Sequence, residues 1–162
     1  MVRHAGLIPE GGKVLDLACG NGRHACLLAS LGYTVAAVDR NSEAISKLSA
    51  VPDIVATELD LEGDEWPLAG QSFDGIVVTN YLWRPRLPDV IAMLAPGGVL
   101  IYETFMLGNE AYGKPSSPAF LLRPGELREV VQAAGLREIA FEEGYTASPK
   151  PAMRQAICAV RD

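Results

Sequence analysis

The chain is predicted to fold as a doubly wound α/β domain around a mostly parallel sheet, and three observations carry that prediction. Strand and helix signals alternate from Lys13 to Phe105, the pattern of helices wrapped on both faces of a sheet. The first apolar strand runs into a turn containing Gly20 and Gly22, and a helix follows. The next strand ends on a carboxylate, Asp39. In open sheets of this kind, ligands bind in the crevice beyond the carboxyl ends of the strands. A carboxylate there can accept two ribose hydroxyls.

Each element follows in order. Within the strand expected over 13–18, the run after Lys13 is apolar except for Asp16, as expected of a central strand covered on both faces. The helix over 22–31 places Ala25, Cys26, Leu28 and Ala29 at helical spacing and stops at Gly32. A β-branched strand spans 34–39, and Asn41-Ser42 caps a helix over 42–49. Strands at 53–58 and 73–79 are joined by a segment, 61–72, with little helical period, so that crossover is expected to be a loop. A helix over 86–94 leads to a strand over 98–105. The last helix, 124–134, is bracketed by Pro124 and Gly135. Strands at 136–144 and 153–161 flank a short connection containing Pro149 and Pro151, which requires antiparallel pairing.

Two stretches depart from the pattern. Only about a dozen residues precede the first strand, with Val2–Ile8 expected as a helical remnant and 9–12 as a turn. This expects either a shortened start or an open crevice. Residues 106–123 form a long connection with Gly108, Gly113, Pro115 and Pro118. Loops longer than about 12–15 residues are usually functional or disordered, and this one leaves a strand end above the crevice. It is read as a substrate lid.

Composition limits the function. At 162 residues the chain is a single domain with one sizeable core. A net charge of −6 argues against bulk nucleic-acid binding, which needs a basic face. Cys19, Cys26 and Cys158 lack disulfide or metal-ligand spacing, and two histidines do not complete a site, so no metal is expected. The cysteines are expected as small buried residues in a reducing compartment. With no signal peptide and no apolar span of about 18 residues, a cytoplasmic protein without membrane attachment is expected. The oligomeric state is left open.

The glycine turn alone does not separate ligand classes. Dinucleotide-binding turns use G-x-G-x-x-G, and Ala25 is tolerated at the third glycine. Asp16 tilts the choice, because an acid inside the first strand suits a ligand carrying an amino group. D-L-A-C-G-N-G, Asp16 to Gly22, resembles the first motif of the class I S-adenosylmethionine-dependent methyltransferases. The resemblance continues in order through Asp39-Arg40, Asp60-Leu61, the strand Phe73 to Asn80, and Leu94 to Ile101. It implies a Rossmann-like seven-stranded sheet of order 3-2-1-4-5-7-6 with the seventh strand reversed, and S-adenosyl-L-methionine as cofactor. By that resemblance Asp16, Ala18, Cys19, Gly20, Asn21, Gly22, Arg23, Asp39, Arg40, Asp60, Leu61 and Asn80 hold the cofactor. Asp39 would take the ribose, Asp60 and Leu61 would lie beside the adenine, and Arg23 would face the methionine carboxylate. Trp66 falls near that edge and reads as packing. E-T-F-M-L-G-N-E-A-Y-G-K-P-S, from Glu103, with F-L-L-R-P-G-E-L after it, looks like the tellurite-resistance type of small bacterial methyltransferase.

Methyl transfer needs alignment of donor and acceptor, with a base only for the harder acceptors. Glu103, a charge inside an apolar strand, is the candidate base or acceptor-orienting group, with an ion pair to Arg84 or Arg123 as the equal alternative. Asn80 and Tyr81 follow the fourth strand, where they can touch the methionine part and wall the acceptor pocket. Asn80-Tyr81-Leu82-Trp83 departs from the motif of exocyclic-amine methyltransferases. Tyr112, Lys114 and Arg123 on the lid are candidates for an anionic acceptor, against ordinary exposed loop charge. His24 reads as a packing histidine. The favoured function is a methyltransferase acting on a small molecule or soft anion. A non-catalytic binder of the same cofactor and a nicotinamide-dependent oxidoreductase are the alternatives.

Overall fold

The computed structural model describes residues 2–162. Seven strands form one sheet: β1 (Lys13–Leu17), β2 (Thr34–Asp39), β3 (Ile54–Glu58), β4 (Phe73–Thr79), β5 (Leu94–Phe105), β6 (Arg137–Thr146) and β7 (Ala152–Val160). Their order is β3-β2-β1-β4-β5-β7-β6, with β7 antiparallel to both neighbours and the remaining pairs parallel. The order and the reversed hairpin are those expected from the sequence.

Two apolar layers sandwich the sheet. Strand alternation sends Val14, Val35, Ala37, Val77, Val99 and Ile101 to one face. There α1 (Arg23–Ser30), α2 (Ser42–Leu48) and the N-terminal 3₁₀ turn Val2–Leu7 cover them through Ala25, Leu28, Leu48, Ala5 and Ile8. The turn packs closely because β4 has no side chain at Gly75, where a Cβ would sit 2.8 Å from Ile8 Cδ1. The expected N-terminal helix is thus a single short 3₁₀ segment. On the other face Leu15, Leu17, Ile76, Val78, Leu100 and Tyr102 meet α3 (Leu87–Ala92) and α4 (Glu126–Ala133).

Capping explains several boundaries. Asn41 Oδ1 accepts from the Ala44 amide at 3.1 Å, so α2 starts where the sequence placed it. Pro124 lies outside α4, which begins after the left-handed Gly125; Gly135, also left-handed, ends it. β5 begins four residues earlier than expected, because Leu94 pairs with Phe73 before a bulge carries the strand past Pro96 and Gly97.

The 61–72 crossover has no helix, as expected, and this leaves the β2–β3 edge thinly roofed, with Val55 65% exposed. Residues 106–123 are far more structured than a loose lid. Met106 bridges Leu122, two 3₁₀ turns lie at Asn109–Ala111 and Pro118–Phe120, and Leu121 and Leu122 are buried. Buried Asn109 fastens the segment by donating to the Pro115 carbonyl and accepting from the Met153 amide. Of the cysteines only Cys158 is buried; Cys19 is half-buried and Cys26 is exposed, which corrects the expectation for all three. Cys26 faces solvent because Ala25 and Leu28 supply the buried side of α1. Among the described residues no helix is long and apolar enough to cross a membrane.

Candidate active site

The carboxyl ends of β1, β2, β4 and β5 meet around a cavity of about 420 Å³. Its wall contains Ala18, Asp39 and Arg40 from β1 and β2, Leu59, Leu61 and Glu62 after β3, and Asn80, Tyr81 and Leu82 after β4. Thr104 and Phe105 close it from β5, and Pro115 and Phe120 from the overhanging segment. Five expected cofactor residues therefore share one wall: Ala18, Asp39, Arg40, Leu61 and Asn80. Tyr81 joins them. Leu59, Glu62, Leu82, Thr104, Phe105, Pro115 and Phe120 were not singled out from sequence; most are apolar and carry no motif of their own.

The backbone is shaped at this rim. Ala18 (φ 56°) and Asn80 (φ 57°) end β1 and β4 in the left-handed region, where non-glycine residues are uncommon and strain concentrates at functional sites. Gly20 (φ 56°) follows, and a Cβ there would meet nothing within 4 Å, so its backbone faces open space. Gly22 (φ 79°) serves packing instead, since a Cβ would lie 2.3 Å from Leu48 Cδ2. Asp39 ties the turn together: Oδ2 accepts from the Gly20 amide and Oδ1 from the Asn41 amide, each at 2.9 Å.

Asp16 lies two residues behind Ala18 and outside the cavity wall. It is 2% exposed, and its Oδ2 has no hydrogen-bond partner. Burial pushes its carboxyl up to about 7; the Ala25 amide opposes this and the nearby Asp39 charge adds to it. Cys19, Gly20, Asn21, Gly22 and Arg23 form the turn and first helical residues without lining the cavity, and Asn21 and Arg23 are exposed. Asp60 is exposed, also outside the wall, and accepts the Glu62 amide at 2.9 Å.

Glu103 has neither expected partner. Its Oε1 accepts from Arg154 Nε at 2.7 Å, while Arg154 Nη2 donates to Asn80 Oδ1 at 2.6 Å. The guanidinium also lies 4.6 Å from the Phe105 ring centroid. Glu103 is absent from the cavity wall, although Phe105, on the same face of β5, reaches it. Glu103 thus reaches the cavity wall only indirectly, through Arg154 to Asn80. Tyr81 Oη is buried without a partner, and burial, with Glu62, Asp60 and Asp39 near, pushes its phenol upward. It stays protonated at neutral pH.

Arg84 pairs with Glu126, and Arg123 with Glu126 and Glu129. Tyr112 packs on Tyr145 at 5.4 Å, and Tyr112, Lys114 and Arg123 are exposed and absent from the cavity wall. His24 Nδ1 lies 3.3 Å from Thr79 Oγ1, and burial lowers its pKa. Trp66 packs against the core with Arg86 over its ring. Among the described residues no three carboxylate, histidine or cysteine side chains gather as a metal site.

A sheet of order 3-2-1-4-5-7-6 with its cleft at the β1–β4 switch is the architecture of the class I methyltransferases. The family model described as "Tellurite resistance protein TehB" matches residues 1–136, and the chain belongs to that family of S-adenosylmethionine-dependent methyltransferases. TehB from Haemophilus influenzae superposes with a TM-score of 0.81 at 23% identity, covering 99% of this chain and 61% of that one. A TehB-like SAM-dependent methyltransferase from Corynebacterium glutamicum gives 0.69 at 22% identity, covering 98% and 87%. Among curated proteins, a protein-L-isoaspartate O-methyltransferase from Chlorobaculum tepidum is 36% identical over 108 residues, 64% of this chain. The chain spans about half the length of the curated relatives it matches, 49% in that case.

Proposed function

We propose that the chain binds S-adenosylmethionine in the 420 Å³ cavity and transfers its methyl group to a small molecule or soft anion. The observation that carries this reading is the shared wall of Ala18, Asp39, Arg40, Leu61 and Asn80. Asp16, whose buried Oδ2 lacks a partner just behind Ala18, is the acid this reading assigns to the cofactor's ammonium group. Gly20 presents bare backbone to it. Asp39, already placed by two amides, has lone pairs left for ribose hydroxyls. Leu61 and Leu59 wall the adenine, with Asp60 at its edge and Arg40 beside it. Cys19, Asn21, Gly22 and Arg23 set the turn and the start of α1. When bound there, the cofactor would supply a methyl carbon activated by its sulfonium, transferred to the acceptor as the carbon–sulfur bond breaks.

The acceptor side supports a substrate that needs little base assistance. Leu82, Thr104, Phe105, Pro115 and Phe120 offer no carboxylate or imidazole, and burial keeps the Tyr81 phenol protonated. Asn80, steadied by Arg154 and Glu103, orients the methionine end. The carboxylates of the wall, Asp39 and Glu62, both lie at the β2–β3 end that this reading gives to the cofactor, which favours the second reading, a protein that binds the cofactor without transferring its methyl. The acidic charge balance supports a small acceptor over bulk nucleic acid, and three free cysteines support a cytoplasmic setting.

Titration calorimetry with S-adenosylhomocysteine tests the cofactor assignment, and absence of binding by the folded chain rejects it. Incubating the chain with methyl-tritiated S-adenosylmethionine and a metabolite extract separates the two readings. An enzyme labels a metabolite, and a pure binder labels none.

A further inference from the structure

All five N–H groups of Arg84 are engaged, and three of them hold the segment over the cavity. Nη1 donates to the carbonyls of Pro118 (3.3 Å) and Ala119 (3.1 Å), and Nη2 donates to that of Leu121 (2.6 Å). The other two form a bidentate pair with Glu126, Nε to Oε2 at 2.7 Å and Nη2 to Oε1 at 2.9 Å. Glu126 is 3% exposed and also accepts the Arg123 amide, so the anchor is fixed at the start of α4. Between the clamped carbonyls lies Phe120, whose ring walls the cavity although the residue is 44% exposed. Arg84 itself follows Asn80, Tyr81 and Leu82 by a few residues. The Tyr81 carbonyl is in turn held by Tyr102 Oη at 2.6 Å.

We infer that Arg84 is a positioning residue, a latch that keeps Phe120 over the cofactor cavity and slows ligand escape. The inference rests on the proposed cofactor site. Its logic is geometric: a guanidinium that satisfies three carbonyls within four residues fixes backbone that has no strand or α-helix of its own. Arg84 touches no part of the cavity and acts only through the segment it holds. A conformational gate of this type governs exchange of bound ligand rather than the transfer step.

The test uses Arg84→Ala/Glu126→Gln, which removes the latch without stranding a buried carboxylate, and Phe120→Ala, an exposed truncation that spares the core. Stopped-flow dissociation of S-adenosylhomocysteine is expected to be about tenfold faster in each, as lost cover acts mainly on the off-rate. The combined variant should be no faster than Phe120→Ala alone. Chymotrypsin should cut at Phe120 or Tyr112 several-fold faster in the latch variant, at unchanged rates of cleavage elsewhere. Wild-type dissociation rates, multiplying effects in the combined variant, or unchanged cleavage would overturn the latch. If the wild-type chain binds no S-adenosylhomocysteine, the cofactor assignment fails, and the cleavage experiment still decides the latch by itself.

Discussion

The Gly20 amide donates to Asp39 Oδ2 at 2.9 Å, joining the turn after β1 to the end of the adjacent β2. The acid is thus a structural strut before it meets any ligand. Asp39→Ala removes this bond and the one to Asn41, and is expected to destabilise the fold by about 2 kcal/mol, near 1 kcal/mol for each amide left unpaired. On the proposed cofactor site, affinity for S-adenosylhomocysteine should fall at least about tenfold, because the proposed ribose acceptor goes with it. Urea unfolding and calorimetry on the same samples check both; unchanged affinity would confine Asp39 to the strut.

Asp16 gives a pH signature. Its folded pKa, about 7, lies above the ordinary carboxylate value of 3.8, so the folded chain holds a proton in that interval that the unfolded chain has lost. Stability therefore falls as pH rises between those two values and levels off above pH 7. Asp16→Asn should be neutral near pH 3.5 and stabilising at pH 8 by a few kcal/mol, on the order of one pKa unit per 1.4 kcal/mol. A ligand ammonium beside Asp16 would favour the ionised form, so binding should release a proton and tighten as pH rises from 5 to about 7. Calorimetry in buffers of different ionisation heat reads that proton directly, and equal heats in all buffers would contradict it.

Ala18 carries the opposite kind of cost. A Cβ at φ 56° is strained by about 1 kcal/mol relative to glycine. Ala18→Gly is expected to raise the melting temperature by a few degrees, about 2–4 °C per kcal/mol at this chain length. The control is Gly22→Ala, where a positive φ and a 2.3 Å approach to Leu48 predict a clear loss of stability. Thermal melts of the two variants should move in opposite directions.

What the sequence revealed follows a physical division. The strands, the hairpin and the glycine turn were legible because period, punctuation and capping are local; Asn41 and Gly135 are examples. Asp39 was legible from its place at a strand end, and Ala18, Arg40, Leu61 and Asn80 through the motif resemblance; all five share the cavity wall because parallel strand ends in such a sheet point to one side. Partnership across the sheet was not. Glu103 reaches Arg154, 51 positions away, through the β5–β7 pairing that opposes Phe105 to Arg154, a register no local pattern encodes. Nor was the order in 106–123, where single side chains, Arg84 and Asn109, bond to backbone carbonyls that look alike in any sequence.

The Arg84–Glu126 pair yields the remaining prediction. Burial alone would raise the Glu126 pKa, but the Arg84 guanidinium and the Arg123 amide outweigh it and hold the carboxyl below its ordinary 4.5. A depressed carboxylate contributes stability that is fully present above the unfolded value and is lost as pH falls through the folded one. Arg84→Ala leaves a carboxylate that is 3% exposed without its bidentate partner, and about 3 kcal/mol should be lost at pH 7. At pH 3 and below, where protonation removes the stranded charge, the same substitution should cost much less. Glu126→Gln, which keeps one acceptor for Arg84, should cost less than Arg84→Ala at neutral pH. Urea denaturation of the three proteins at pH 7 and pH 3 checks the sign, and a pH-independent Arg84→Ala penalty would mean that the pair contributes through packing and the loop carbonyls rather than through its charge.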